Sequence, residues 1–558
     1  MTNSENKICQ NCRASFIIDA SDFAFYEKIQ VPLPTFCPEC REQRRLTFRN
    51  ERSLYKRKCD LCGKEMVSIF SSVPPVGWAK PFKVYCSSCW FSDNWDQLAN
   101  GRDFDFKEPF FAQFKNLVQD VPKMTLFNAR TVNSDWVNNE TDDKNCYLNV
   151  GGHFNEDCAY NTYAIRSKDC FDNYWIFSCN FCYENIFLRN CYKTFFSRQC
   201  FDCIDTIFSY DCRNCQNIIG CAGLRGKSYC IFNEQYSNED YSNFLEQHPL
   251  SSGKSLRFLK EKSGEVILKI VYRDVFIIKS VNCSGNYIEQ SKNCHNCWDV
   301  EKVENSKHMF ISGEIKDSSD VSSVGIKTEL AYEVMGMTAG NNVKFSFTID
   351  SGCYNVEYSN FLSNCHDCFG CVGLRDKSHC IFNKQYLEDE YKILRQKIVE
   401  HMKQIGEYGE FFPVSLSAFG YNETAAHDYF PLIKEDALRQ GFNWNDYEAN
   451  TQYQFSDYEI PDNINDISDD ILGKILKCEI SGKAYRIIPM ELEFYRKVGL
   501  PISRRAPLQR HRDRLALRAP RKLWTRNCAK CDKEIKTVYS PERPEIVYCE
   551  KCYQQEIV

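Results

Sequence analysis

The sequence has no run of about 18 consecutive apolar residues, so none of it is expected to cross a membrane as a helix. It has no glycine-rich loop of phosphate-binding spacing, no HExxH and no GxSxG. The usual local signatures of nucleotide hydrolysis, zinc proteolysis and serine esterase chemistry are therefore missing. Histidine is scarce, with nine in 558 residues, which limits imidazole chemistry to a few positions. The first residues, MTNSENKICQNC, contain no apolar signal core, so the expected setting is the cytoplasm. Thiols stay reduced there, so disulfides are a poor use for 33 cysteines. Metal ligation and plain burial remain.

Twelve of those cysteines form three quartets of the pattern CxxC, an interval of about 20 residues, CxxC: Cys9, Cys12, Cys37 and Cys40; Cys59, Cys62, Cys86 and Cys89; Cys528, Cys531, Cys549 and Cys552. A tight turn within CxxC turns both thiolates toward one ion, and two such knuckles supply the four ligands of tetrahedral zinc. Redox CxxC pairs are the alternative, but no thioredoxin-like βαβ pattern surrounds them. Three structural Zn2+ ions are expected, because four thiolates leave no open coordination position.

A shift of 469 residues lays Cys9–Glu65 on the C-terminal region without gaps. Cys9 meets Cys478, and Phe25-Tyr26 meets Phe494-Tyr495. Arg41, Arg45, Arg49, Arg52 and Arg57 meet Arg510, Arg514, Arg518, Arg521 and Arg526. Cys12, Cys37 and Cys40, however, meet Ser481, Ala506 and Gln509, so the C-terminal copy of the first ribbon has lost three of its four ligands. The arginines persist where the metal ligands do not, which implies a purpose for them apart from zinc.

Between the ribbons the cysteines fall on a lattice. Cys158, Cys179, Cys200 and Cys221 are 21 apart, as are Cys170, Cys191 and Cys212. Asn or Asp often precedes the cysteine, as at Asn145, Asp157, Asp169, Asn190 and Asp202. Asn305-Ser306 and Asp317-Ser318 keep a 12-residue step with serine in place of cysteine. A fixed period near 20 in segments rich in Phe, Tyr, Ile and Asn predicts a parallel β-helix with coils of about 21 residues. Cysteine, small and apolar, suits a narrow interior, and Asn and Asp tolerate left-handed corners. The stretch Asn214–Tyr241 returns as Asn364–Tyr391 with 16 of 28 positions identical, and reads as the closing coil of each of two blocks. Each copy is followed by a polar segment expected to be a capping helix, Ser237–Gln247 and Glu388–Ile405. Thiols adjacent in the stack offer a soft-metal alternative to packing. His295 and His366, beside lattice cysteines, raise a Cys/His nucleophile, which the opposite facing of strand neighbours disfavours. A polysaccharide-cleaving β-helix is disfavoured by the missing export signal.

The formal net charge of −5 conceals two basic segments, Arg41–Lys58 and Ser503–Arg526, on an otherwise acidic chain. Their arginines, interleaved with Phe48, Tyr55 and Trp524, fit a surface that neutralises phosphates and stacks bases. Arg41, Arg44, Arg45, Arg49, Arg510, Arg512, Arg514 and Arg518 are the candidate contacts, with RNA or a ribonucleoprotein favoured as partner. The competing reading is that these arginines pair with the chain's own acids and join its domains.

The segments FCPECREQRRLTFRNERSLYKRKCDLCGK, CVGLRDKSHCIFNKQY and RPEIVYCEKCYQQE together resemble a family of uncharacterised cysteine-rich zinc-ribbon proteins of candidate-phylum bacteria. The resemblance spans nearly the whole chain. It implies a bacterial cytosolic setting and carries over no catalytic residue.

The expected architecture is mainly β and multidomain. Tandem zinc ribbons occupy 1–100 and a helical connector 101–143, in which Phe110, Phe114, Leu117 and Val118 share a helix face. Solenoid block 1 spans 144–241, a helix and strand insert 242–279, and solenoid block 2 280–391. A helical region and acidic linker cover 392–471, and a degenerate ribbon plus the third zinc ribbon 472–558. The expected function is a non-enzymatic zinc scaffold that binds nucleic acid. A protein-interaction scaffold using the solenoid face is the first alternative, and an enzyme with its site on the solenoid the second.

Overall fold

The computed structural model describes residues 4–74, 77–446 and 453–557. Strand residues outnumber helical ones. The chain divides into two compact units, one joining Met1–Leu126 to Val275–Asn445, the other joining Phe127–Asp274 to Asp446–Val558. Each unit thus combines one ribbon region with one repeat block. The N-terminal ribbons share a unit with the second block, and the C-terminal ribbons with the first.

The block of the second unit is a parallel ladder. Its bridges run from Ala129↔Thr141 to the pairing of Gln216 with Ser228, each joining residues 12 apart. The expected step of 21 is therefore corrected to 12. A rung has four sides of three residues, and from Asn138 onward all four sides pair with the next rung, as in Asn180↔Tyr192, Tyr183↔Phe195, Ile186↔Arg198 and Arg189↔Phe201. Every third residue turns the corner with a left-handed backbone, as at Asn190 (φ 53°), Lys193 (46°), Phe196 (54°), Gln199 (55°) and Asp202 (55°). Asn and Asp accept this conformation readily. Trp175, Phe187 and Phe208 adopt it too, at about 1–2 kcal/mol each, which stacking must offset.

One residue per side points inward, so only four side chains fill each rung, mostly cysteine and other small residues with Ile176, Leu188 and Ile218 among them. Cys146, Cys158, Cys170 and Cys182 form one buried column and Cys179, Cys191, Cys203 and Cys215 another. A third column is polar. Asn149, Asn161, Asn173 and Asn185 are buried, and each Oδ1 accepts the backbone N–H of the residue 12 further on, ending at Ser197. The side-chain amides of Asn161, Asn173 and Asn185 donate to the carbonyls of Cys170, Cys182 and Thr194. Corner groups that the ladder leaves unpaired are satisfied in this way.

The first unit repeats the plan with a looser step. Strands Val281–Glu289 and Lys292–Lys316 pair at 11 and 12 residues, Ser319 pairs with Tyr332 at 13, and Tyr354, His366 and Ser378 pair at 12. Its interior mixes Cys294, Cys297, Cys365 and Cys368 with Val300, Met309, Val321 and Val334. In both units the duplicated stretch ends the ladder with a short antiparallel return, Cys230↔Gln235 and Cys380↔Gln385, followed by helices Asn238–Gln247 and Glu388–Gln404. The return blocks further parallel pairing at that edge. On the second of these helices Tyr391, Ile398, Val399 and Met402 are buried.

Two other expectations are modified. The helix of the 101–143 segment is Phe110–Asp120, with Phe110, Phe114, Leu117 and Val118 buried, but the ladder already starts at Ala129. In the insert 242–279, helix Gly253–Ile267 is followed by only the short strands Val271–Arg273 and Ile277–Ile278. Of the acidic segment 446–471, residues 447–452 lie outside the described residues. Of the remainder, Ile460, Ile464, Ile467 and Ile471 are buried.

Candidate metal centres and arginine clusters

Each quartet is assembled by a hairpin knuckle and a helix start. Strands Glu5–Ile8 and Ser15–Ile18 present Cys9 and Cys12, and Cys37 caps helix Pro38–Leu46, whose first turn holds Cys40. Tyr55–Lys58 pairs with Glu65–Ser68 to present Cys59 and Cys62, and Cys86 caps helix Ser87–Trp90. Trp524–Asn527 and Glu534–Thr537 present Cys528 and Cys531, with Cys549 ahead of helix Glu550–Ile557. Within each quartet the four sulfurs lie within 4.8 Å of one another. The sulfurs of Cys12 and Cys37, Cys62 and Cys86, and Cys531 and Cys549 are 3.7, 3.9 and 3.8 Å apart.

The donor set fits a metal ion of tetrahedral preference. The Cys9, Cys59 and Cys528 sulfurs also accept the backbone N–H of Cys37, Cys86 and Cys549 at 3.2, 3.3 and 3.2 Å, which favours thiolate over thiol. Hydrogen bonding from Cys40 holds the Cys37 thiol down at about 5. Burial pushes Cys86 up, but donation from Ser88 and from the Cys89 amide brings it to about 6.

The degenerate knuckle keeps its shape. Cys478 N–H donates to Lys483 O and Gly482 N–H to Cys478 O, as the Cys59 and Gly63 amides do to Lys64 O and Cys59 O. Gly482 at φ 67° holds the left-handed turn position of Gly63 at 76°.

Arg41, Arg44, Arg45, Arg510 and Arg514 are buried, and their nucleic-acid assignment is corrected. Arg41, Arg45, Arg510 and Arg514 are at most 2% exposed and Arg44 is 7%. In the first unit, Arg41 Nη2 reaches Asp320 at 2.9 Å, and Arg45 Nη1 reaches Asp320 at 3.2 Å and Glu333 at 2.8 Å. Arg44 bridges Glu333 at 3.0 Å and Glu410 at 3.1 Å, with its guanidinium 4.4 Å from the Phe36 ring. In the second unit, Arg510 pairs with Asp172 at 3.2 Å and Glu491 at 2.7 Å, and Arg514 with Asp172 at 3.1 Å and Glu184 at 3.2 Å. Arg49 pairs with Glu51 at 2.7 Å. Arg518 donates to the Tyr174 hydroxyl at 2.7 Å with its guanidinium over that ring. Arg49, Arg512 and Arg518 are half-buried. A buried guanidinium must be neutralised where it sits, so the buried groups cannot reach a phosphate.

The acidic partners escaped the sequence reading. Asp172 and Glu184 are 12 apart and Asp320 and Glu333 13 apart, each pair on left-handed corners of successive rungs (φ 56°, 56°, 58° and 49°). Two arginines four apart on helices Pro38–Leu46 and Pro507–Ala516 face them in each unit. Burial pushes the Asp320 carboxyl up, but Arg41 and Arg45 hold it below the usual carboxylate range. Glu184 is raised to about 7 by burial, with Arg514 pulling the other way.

Beside each cluster the repeated Phe-Tyr pair touches the ladder. Phe494 stacks on Phe171 at 4.1 Å and the Tyr495 and Tyr183 hydroxyls are 2.9 Å apart. In the first unit Phe25 and Tyr26 pack edge-on to Tyr332 at 5.9 and 5.4 Å. In the second unit this contact is part of a core in which the outer column Phe171, Tyr183, Phe195, Ile207, Ile219 and Ile231 meets Leu492 and Leu500.

The ladder thiols behave as packed thiols. Cys158 Sγ donates to Glu156 O at 3.2 Å and Ser167 O at 3.4 Å, and Cys170 to Lys168 O and Cys179 O at 3.2 and 3.4 Å. Burial pushes Cys170 and Cys179 well above the ordinary thiol value. Among the described residues no ladder cysteine belongs to a group of three or more donors at metal-binding distance. His366 turns toward Asp367 rather than toward buried Cys365.

No family model, no curated protein and no solved structure matches the chain.

Proposed function

We propose that the protein is a non-enzymatic scaffold in which zinc-stapled ribbons are clamped onto two β-solenoid stacks of 12-residue coils. The observation that carries this reading is the same clamp in both units: arginines four apart on a ribbon helix, held by corner carboxylates of successive rungs. It leaves the outer ladder faces for a partner and accounts for arginines retained where ligands are lost. Zinc is the ion that four thiolates select in a reducing cytoplasm, a setting that the bacterial resemblance also suggests.

A protein partner on the ladder face is the favoured reading. Nucleic acid is retained as a second, moved to other residues. In the second unit Arg166 lies 5.9 and 5.8 Å from the Phe154 and Phe177 rings, Arg189 is 5.8 Å from Phe177, and Arg213 is 3.9 Å from Phe201. Such alternation suits stacked bases.

Retention of the purified full chain on immobilised RNA across a salt gradient separates the two readings. No retention at low salt supports the protein scaffold. Retention that falls with salt and is abolished by Arg166→Ala with Arg189→Ala supports nucleic acid. Metal analysis of the same preparation is expected to give zinc in all three quartets, and chelation to unfold the ribbons.

A further inference from the structure

We propose that His366, Asp367 and His379 form an additional, open metal site on the ladder of the first unit, unlike the closed thiolate quartets. Strands His366–Phe369 and Ser378–Ile381 are neighbours, with His366 paired to Ser378. That register sets His379 one rung beyond Asp367, both on left-handed corners (φ 50° and 53°). His366 Nδ1 is 2.8 Å from Asp367 Oδ2, and His379 Nε2 is 4.0 Å from the same oxygen. One donor atom from each of the three lies within 4.8 Å of the other two.

The three side chains are held from outside the cluster. Asp367 Oδ1 accepts Asn355 Nδ2 at 3.1 Å, which fixes the carboxylate plane. The His366 ring lies flat on Tyr354, centroids 4.7 Å apart and planes 2° apart, and His379 packs on Tyr391 at 5.8 Å. Supports of this kind orient metal-binding imidazoles and carboxylates. From the capping helix, Glu388 faces His379 and is itself paired with Lys392. The donors are 34, 28 and 23% exposed, so remaining coordination positions open to solvent. Two imidazoles and one carboxylate select a borderline divalent ion such as Zn2+, Ni2+ or Co2+ over Ca2+ or Mg2+. Water or another exchangeable ligand completes the shell, as four thiolates do not allow.

The second unit supplies a control within the same chain. At the 150-residue offset its closing coil carries Gln216, Asn217 and Tyr229 on the same register, with Asn217 and Tyr229 at φ 52° and 54°. The fold therefore accepts a version without donors, and the site is a property of side chains rather than of the rung.

The test is equilibrium dialysis of the full chain against Zn2+ at pH 7.5 and pH 5. The expected result is one ion beyond those of the thiolate quartets, with affinity at least about tenfold weaker at pH 5, because protons compete with the metal for its ligand atoms. His366→Gln, Asp367→Asn and His379→Tyr together should remove that ion while the thiolate-bound ions and the melting temperature are unchanged. His379→Tyr alone should weaken it at least about tenfold and guards against misfolding of the triple variant. Absence of a further ion at millimolar Zn2+, or its survival in the triple variant, overturns the proposal. The scaffold reading does not depend on either result.

Discussion

Glu140 and Asp143 stand at two of the four inward positions of an early rung of the second unit, where later rungs place cysteine, asparagine or small apolar residues. Both are essentially buried. Burial raises the Glu140 carboxyl well above its ordinary value, with Asp143 adding to the effect, and burial raises Asp143 as well. A raised carboxyl keeps its proton in the folded state when the unfolded chain, titrating near pH 4.3, has lost it. The contribution of these two carboxyls to stability is therefore fully present below that pH and falls as pH rises above it, by about 1.4 kcal/mol per pH unit for each proton held only by the folded state. Glu140→Gln should flatten the fall, so that urea melts at pH 5 and pH 8 differ less than in the parent; an unchanged slope would refute the assignment. At this scale the sequence was readable where spacing fixes chemistry. All twelve quartet cysteines converge as CxxC spacing requires. The eight candidate arginines were read as nucleic-acid contacts, but five of them are buried, and burial is set by long-range partners such as Asp320 and Glu333, 275 or more residues from Arg45, which no local pattern announces.

The ladder was legible in its materials and misread in its period. Cysteines 21 apart occupy different columns, because 21 residues make one full rung and three further sides. The 12-residue step that Asn305-Ser306 and Asp317-Ser318 preserve was the true repeat, hidden because columns change from cysteine to threonine or serine along the stack. The corner reading holds in detail. Asn145, Asp157, Asn190 and Asp202 all have φ between 53° and 55°, and Asn190 Nδ2 bonds Asp202 Oδ1 at 2.9 Å. Asn190 is exposed, so its substitution isolates the corner from packing. Asn190→Val should destabilise the second unit by about 1–2 kcal/mol through the left-handed backbone, whereas Asn190→Gly should lie within about 0.5 kcal/mol of the parent, since glycine adopts that conformation freely. Equal denaturation midpoints for the two variants would show that the corner is not strained.

Across the whole molecule, the two sequence duplications turn out to be one. Offsets of 469 in the ribbons and 150 in the blocks describe the same composite body made twice, with the ribbon first in one unit and the ladder first in the other. The gap-free 469 shift exposed the persistent arginines, but the partition of the chain required knowledge of which block each ribbon meets. Arg45 and Glu333 are both essentially buried and 2.8 Å apart. Removing one partner of such a pair strands the other charge and costs about 3–5 kcal/mol. The direct measurement is a double-mutant cycle of Arg45→Ala and Glu333→Ala by urea denaturation of the metal-loaded chain. Each single variant should lose several kcal/mol and the double variant about 1–3 kcal/mol less than their sum. Additive losses below about 0.5 kcal/mol each, as for ordinary surface positions, would contradict the clamp and return these arginines to the surface.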